Sequence, residues 1–136
     1  MVYRFTVSGD NFSRAGMVSA EMKRILQQLG IPIPTIKRIA VSMYEAEINM
    51  AVHAGGGKAE IDIQDDKIVI IMSDNGPGIA DLDLAMQEGF STASEHVREL
   101  GFGAGMGLPN MKRNSDELNI KSEVGKGTTV TMTIHL

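Results

Sequence analysis

The sequence predicts an α+β fold, a two-layer sandwich in which a mixed, mainly antiparallel sheet carries helices on one face. The 136-residue chain has the length of one domain, and its 43% apolar and 22% charged residues are typical of globular proteins. Most strand-like segments are joined by short turns, as in hairpins, and few segments have helical periodicity. No internal repeat or linker-like segment is present, so we expect a single domain over residues 1–136.

The first half of the chain reads as one strand, two helices and a hairpin. Residues 2–7 are β-branched and aromatic and predict the first strand. A helix with apolar residues at three- and four-residue steps ends at Gly30, and a second runs from about Thr35 to His53. Candidate N-caps of the first helix are Asp10, Asn11 and Ser13. The hairpin strands are predicted at 59–64 and 67–72.

The second half contains a long segment without strong periodicity, which in a small domain is usually functional. The elements predicted there are a helical turn at 81–87, a helix at 108–114 and strands at 118–123 and 129–136. The predicted order is therefore β-α-α-β-β-loop-α-β-β.

Charge and composition exclude several classes of function. The formal charge of −4 argues against the electropositive surface that nucleic-acid binding requires. The chain has no Cys for disulfides or zinc, and its three His have no ligand spacing. It also lacks both the run of about 18 apolar residues that a membrane helix needs and a signal-peptide pattern. We therefore expect a cytoplasmic protein that binds neither nucleic acid nor membranes.

Two polar residues, Glu45 and Asn49, interrupt an apolar face of the second helix. They are four positions apart and so share one side of it. Burying a carboxylate and an amide costs several kcal/mol unless they gain partners. A Mg²⁺ ion, which takes oxygen ligands and shares them with phosphates, would be such a partner. Alternatively, this face meets solvent.

A glycine-containing turn follows the strand at 67–72 and starts at Asp74. A carboxylate at a strand end can accept a hydrogen bond from an exocyclic amine such as that of adenine. Gly76 and Gly78 would let a flat ring approach the backbone. The alternative is a simple turn, since Asn-Gly and Pro-Gly are turn dipeptides.

Further glycines precede the helix at 108–114, namely Gly103, Gly105 and Gly107. Backbone amides at a helix N-terminus form a donor-rich site for phosphate, although a flexible linker would have the same composition. A fourth cluster at 125–129 includes Thr128 and, taken alone, is a hairpin turn.

In this order and spacing, the four clusters resemble the N box and the three glycine boxes of the GHKL (Bergerat-fold) ATP-binding family, over about residues 35–136. The segments at 44–53, 88–92, 105–109 and 122–129 are most similar to the partner-switching serine/threonine kinases, which include anti-sigma factors. Residues 94–99 make the lid segment longer than in those kinases.

The resemblance implies ATP and Mg²⁺ as cofactors and a role for each cluster. Glu45 would be the general base, Asn49 the Mg²⁺ ligand and Asp74 the adenine reader. Gly76 and Gly78 would lie at the ring, with Thr128 behind the adenine. Gly103, Gly105 and Gly107 would hold the phosphates.

The resemblance further implies an anti-sigma regulatory factor that is a serine/threonine kinase and phosphorylates a STAS-domain (anti-anti-sigma) partner. From the chain length we expect neither a phosphoacceptor hairpin nor a transducer domain. The alternative is an ATP-gated module that sequesters a sigma factor or another partner without kinase turnover. Residues 2–29 contain none of the four boxes and are free to dock a partner or, as a homodimer, a second copy.

Overall fold

The protein, seen in a computed structural model, is an antiparallel sheet with its helices packed on one face. The structure describes residues 1–9, 14–87 and 107–136. In this part of the chain the strands are β1 (Val2–Ser8), β2 (Gly56–Ile63), β3 (Lys67–Asp74), β4 (Glu117–Glu123) and β5 (Gly127–His135). The helices are α1 (Met17–Gln28), α2 (Ile33–His53), the single turn α3 (Leu82–Ala85) and α4 (Gly107–Asn114).

The five strands lie in the order β1-β2-β3-β5-β4, and every neighbouring pair is antiparallel. The predicted α+β sandwich with a mainly antiparallel sheet is therefore confirmed. Because β3 pairs with β5, the last residue of β3, Asp74, lies opposite Thr128 near the start of β5. This register joins two of the predicted clusters at one end of the sheet.

The core lies between the sheet and the helices. Alternate residues of the central strands β3 and β5 are buried, as period-two alternation requires, whereas the inward positions of the edge strands β1 and β4 are mostly half-buried. The largest fully buried apolar side chains are Met22, Leu26, Ile39, Met43, Ile61, Ile68, Ile70, Met72, Met111, Met132 and Ile134. In the described ranges, no helix is both long and apolar enough to cross a bilayer.

The central helix is α2, which packs between α1 and α4 and also contacts the sheet. It begins at Ile33, two residues before the predicted start at Thr35. Pro34 lies in its first turn, where the missing N–H of proline needs no partner. Because α2 touches both neighbouring helices, its different faces perform different tasks.

The start of α1 is capped from another helix. Gly16 at the N-cap has a φ of +95° and supplies no side chain, so the cap is the carboxylate of Glu47 on α2. One oxygen of Glu47 accepts hydrogen bonds from the backbone N–H groups of Gly16 and Val18 at 3.0 Å, and the other accepts from Ser19 at 2.9 Å. The predicted caps Asp10, Asn11 and Ser13 lie outside the described residues.

Candidate functional site

The face of α2 that carries Glu45 and Asn49 is turned towards α4. Both side chains are half-buried, so this face is only partly exposed to solvent. Helical periodicity explains why they share this face, since their positions differ by one turn. The packing of α4 turns the face into a seam between two helices.

The amide of Asn49 lies directly against the first residue of α4. A Cβ atom added to Gly107 would be 3.0 Å from Nδ2 and 3.1 Å from Oδ1 of Asn49. Among the described residues, neither polar atom of this side chain has a hydrogen-bond partner. An oxygen donor without a protein partner fits the ligand chemistry of Mg²⁺. The described residues hold no cluster of three or more His, Asp or Glu side chains that could bind a metal alone.

Glu45 is linked to α4 through a polar side chain. Asn110 donates from Nδ2 to Oε1 of Glu45 at 3.2 Å. Oε2 of Glu45 has no hydrogen-bond partner among the described residues. The carboxylate thus has one oxygen engaged and the other available for a proton.

The carboxylate of Asp74 likewise has one oxygen that is hydrogen-bonded within the protein and one that is not. Its Oδ1 accepts hydrogen bonds from the backbone N–H groups of Gly76 at 3.0 Å and Thr128 at 3.2 Å. No described residue donates to Oδ2. The two backbone donors fix the carboxylate at the end of β3, and an exocyclic amine could bond to Oδ2.

The glycines after Asp74 are required by close backbone contacts. A Cβ on Gly76 would lie 2.5 Å from the Cβ of Ala54, the residue that ends α2. Gly78 has a φ of +78°, and a Cβ there would lie 2.5 Å from the carbonyl oxygen of Glu123. These contacts bring the loop against both α2 and the β4–β5 turn, which places Asp74 near the helix that carries Asn49.

Thr128 belongs to a small hydroxyl cluster. Its Oγ1 is 2.8 Å from Oγ of Ser122, which also accepts from the backbone N–H of Ile79 at 2.7 Å. The predicted role of Thr128 behind an adenine stays a prediction. Ser122 joins β4, β5 and the loop after β3 at this position.

The second glycine box is described only in part. Gly103 and Gly105 lie outside the described residues, as do the segments 88–92 and 94–99 assigned to the lid. Gly107 is described and starts α4 beside Asn49. Three of the four predicted clusters, together with this end of the second box, therefore meet around one end of the sheet.

Three residues of the site region, Glu47, Asn110 and Ser122, were given no role from the sequence pattern, and Gly127 was assigned only to a hairpin turn. All four gain their roles from partners distant in the chain or on the neighbouring strand. A Cβ on Gly127 would lie 2.1 Å from the carbonyl oxygen of Asp74, so β5 can pack here only with glycine. The only sequence signal for Glu47 was a charged residue within an apolar helix. That signal did not indicate that its partners would be the backbone N–H groups at the start of α1.

An ion pair fastens the first half of α2 to the segment before β4. The Arg38 guanidinium forms two hydrogen bonds with the Asp116 carboxylate, which also accepts from the backbone N–H of His135. These donors, Arg38 first, lower the pKa of Asp116 below its usual value of 3.8. At the other end of α2, burial lowers the pKa of His53. The helix is thus anchored to the sheet next to β4 and β5.

Comparison with protein families gives an independent view of the chain. The family described as histidine kinase-, DNA gyrase B- and HSP90-like ATPase matches residues 34–136. The serine/threonine-protein kinase RsbT of Bacillus subtilis (strain 168) is 33% identical over 112 residues, covering 79% of this chain and 78% of that protein. An anti-sigma F factor of Caldanaerobacter subterraneus subsp. tengcongensis is 40% identical over 111 residues, covering 76% and 74%.

Solved structures share the fold at lower identity. The RsbU and RsbW domains of Rv1364c from Mycobacterium tuberculosis give a TM-score of 0.67 at 18% identity, covering 98% of this chain and 32% of that longer one. The SiaB–SiaC complex from Pseudomonas aeruginosa contains a chain with a TM-score of 0.64 at 13% identity, covering 97% and 88%. At these identities the likeness shows the common fold.

Proposed function

Because the chain belongs to the histidine kinase-, DNA gyrase B- and HSP90-like ATPase family, we propose that it is an ATP-dependent serine/threonine kinase of a partner-switching system. It transfers the γ-phosphoryl group of ATP to a Ser or Thr of a STAS-domain, anti-anti-sigma partner. In this role it also acts as an anti-sigma regulatory factor. Relatives named as a serine/threonine-protein kinase and as an anti-sigma F factor support this proposal.

The observation that carries the kinase proposal is the seam between α2 and α4. It places a carboxylate with a free oxygen, Glu45, one helical turn from an amide without a protein partner, Asn49. A module that only senses ATP needs the second of these groups but has no use for the first. Phosphoryl transfer uses both, since one group accepts the hydroxyl proton and the other holds the metal.

In the proposed complex, Oδ2 of Asp74 accepts a hydrogen bond from the exocyclic amine of adenine, while Oδ1 keeps its two backbone donors. The phosphates lie at the N-terminus of α4, beside Gly107. Asn49 would hold Mg²⁺, which supplies positive charge to the phosphates. Glu45 accepts the proton of the attacking Ser or Thr hydroxyl.

A second function is favoured by the naming of the relatives. The relatives named anti-sigma F factor support binding of a sigma factor. The second candidate is therefore an ATP-gated module that sequesters a sigma factor without significant kinase turnover. Only the kinase would produce a phosphorylated partner protein. The kinase adds a phosphoryl group to its partner, whereas the module only changes its affinity for a partner with the bound nucleotide.

The deciding experiment incubates the chain with γ-labelled ATP, Mg²⁺ and the STAS-domain protein encoded nearest to its gene. We expect one labelled Ser or Thr and a mass increase of about 80 Da on the partner. Glu45→Gln should slow labelling by about two to four orders of magnitude. Replacement of the exposed Glu117 on β4, as Glu117→Gln, should leave labelling unchanged. Nucleotide-dependent partner binding without a mass change would favour the sequestering module.

A further inference from the structure

Asn110 is a polar residue in the seam between α2 and α4 that the four sequence clusters do not include. It lies on α4, three residues after Gly107, and its side chain crosses to α2. There Nδ2 donates to Oε1 of Glu45 at 3.2 Å. Asn110 is therefore the described side chain that bonds to the proposed base.

Arg113 decides which end of the Asn110 amide faces Glu45. Its Nη2 donates to Oδ1 of Asn110 at 2.8 Å. A guanidinium has donors only, so the amide oxygen must face Arg113 and the NH₂ group must face Glu45. The chemistry of the neighbours thus fixes an orientation that a carboxamide alone leaves open.

The hydrogen bond from Asn110 restricts rotation of the Glu45 side chain. Oε1 of Glu45 has the Asn110 donor, and Oε2 has no hydrogen-bond partner in the described part of the chain. A base accelerates transfer only when its open oxygen is within hydrogen-bond reach of the hydroxyl proton. A displacement of about 1 Å from such a geometry can cost about a hundredfold in rate.

We propose that Asn110 is a positioning residue for phosphoryl transfer, holding Glu45 so that Oε2 points to the acceptor hydroxyl, with Arg113 orienting its amide. The inference rests on the proposed function, because it requires Glu45 to be the base. In the step it serves, the acceptor oxygen bonds to the γ-phosphorus as its proton passes to Oε2 of Glu45. The bond from the γ-phosphorus to the bridging oxygen breaks, and ADP leaves with that electron pair.

The position of α4 adds a second consequence. The helix meets Asn49 at Gly107 and reaches Glu45 through Asn110, so one rigid element contacts both proposed groups. Phosphates that bind at the N-terminus of α4 would also hold in place the helix that carries Asn110, and Asn110 in turn holds Glu45. Alignment of Glu45 is then greatest when the triphosphate is bound.

The test measures transfer from γ-labelled ATP to the STAS-domain partner for Asn110→Ala and Asn110→Asp, each with and without Glu45→Gln. We expect kcat to fall about ten- to a hundredfold in both single variants. The Asp variant keeps the shape of Asn but places an acceptor against the carboxylate. The KM for ATP and the Tm should stay near wild type, as in the control Asn119→Ala on the exposed side of β4.

If Asn110 acts through Glu45, its replacement should cause no further loss in the Glu45→Gln background, because interacting residues are not additive. Wild-type kcat in both Asn110 variants, beside a strongly slowed Glu45→Gln variant, would overturn the inference and leave the proposed function intact. A parallel loss of Tm and ATP affinity would also overturn it, since Asn110 would then be only structural.

Failure of the proposed function gives a different result. Full transfer by the Glu45→Gln variant would remove Glu45 as the base and the inference with it. If the wild type transfers no phosphoryl group, the kinase proposal fails. The hydrogen bond between Asn110 and Glu45 can then still be tested by NMR, from the signal of the Asn110 side-chain amide. That ¹H–¹⁵N signal should shift in Glu45→Gln and stay in place in Glu117→Gln. An unshifted signal would overturn the contact.

Discussion

The side-chain amide of Asn49 packs closely against Gly107, the first residue of α4. A Cβ atom added to Gly107 would lie only 3.0 Å from Nδ2 and 3.1 Å from Oδ1 of Asn49. A glycine at the start of a phosphate-binding helix is often explained by its exposed backbone amide. Here the absent side chain also leaves room for a proposed metal ligand. The contact links the second glycine box to the helix that carries Glu45.

Gly107→Ala is therefore expected to weaken Mg-ATP binding about tenfold or more without loss of stability. The new methyl group would turn the flexible Asn49 amide away, while alanine is a better helix residue than glycine. Calorimetry and thermal melting measure the two effects. Gly30→Ala is the matched control: it has a φ of +74° with open space around it, so it should cost about 1 kcal/mol and leave ATP affinity unchanged. Equal ATP binding by both variants would contradict the role of the Asn49 contact.

Asp74→Asn should weaken ATP binding about ten- to a hundredfold. It should also reduce the ratio by which the protein binds ATP more tightly than GTP. The variant retains Oδ1 for its two backbone donors, so the strand end should keep its shape. An NH₂ group replaces Oδ2 and faces the donor amine of adenine, whereas guanine presents a carbonyl at that position. Titrations with ATP and GTP check this, with Asp65→Asn in the β2–β3 turn as control. An unchanged ATP/GTP ratio would reject Asp74 as the adenine reader.

Glu45→Ala and Asn49→Ala should separate chemistry from metal-nucleotide binding. Removal of a general base lowers the rate by about two to four orders of magnitude, so the Glu45 variant should bind Mg-ATP but transfer poorly. The Asn49 variant should lose affinity for Mg-ATP itself. Equilibrium binding and single-turnover transfer measure the two properties. The assignment fails if both variants behave as wild type.

Glu47→Ala should lower the free energy of unfolding by about 3 kcal/mol, because three backbone N–H groups at the start of α1 lose a buried acceptor. Glu47→Gln should cost nearly as much, since both carboxylate oxygens accept and an amide supplies only one acceptor. Denaturant unfolding measures the loss. Glu21→Ala, on the exposed side of α1, should change stability little. A loss below about 0.5 kcal/mol in the Glu47 variants would show that the cap is dispensable.

The Arg38–Asp116 contact should give stability that depends on pH. The folded-state pKa of Asp116 is lowered, so its contribution is fully present above the usual value of 3.8 and is lost as the pH falls through the folded value. Wild type should therefore exceed Asp116→Asn in stability at pH 7, and the difference should shrink below about pH 4. Urea unfolding at several pH values checks this, with Asp65→Asn as control. A difference that grows in acid would contradict the sign.

The sequence by itself determined the kind and order of the elements. Alternation or runs of β-branched and apolar residues predicted the strands, helical spacing predicted α1 and α2, and glycine-containing turns marked the site segments, because each of these signals is local. Helix bounds were less accurate, as for α2, since the first turn of a helix has weak local signals. The placement of Glu45 and Asn49 on one face likewise followed from spacing alone.

The tertiary structure alone decided which partners these residues meet. Glu47 and its amide donors are 28 to 31 positions apart, and Asn110 is 65 positions from Glu45. Local periodicity carries no information about such pairs, because they depend on how α1 and α4 pack against α2. Similarly, the pairing of β3 with β5 brought Thr128 to Asp74 and left one carboxylate oxygen open. The sequence fixes how each element forms and which residues share a face, whereas burial of all the apolar faces together sets which polar groups meet across them.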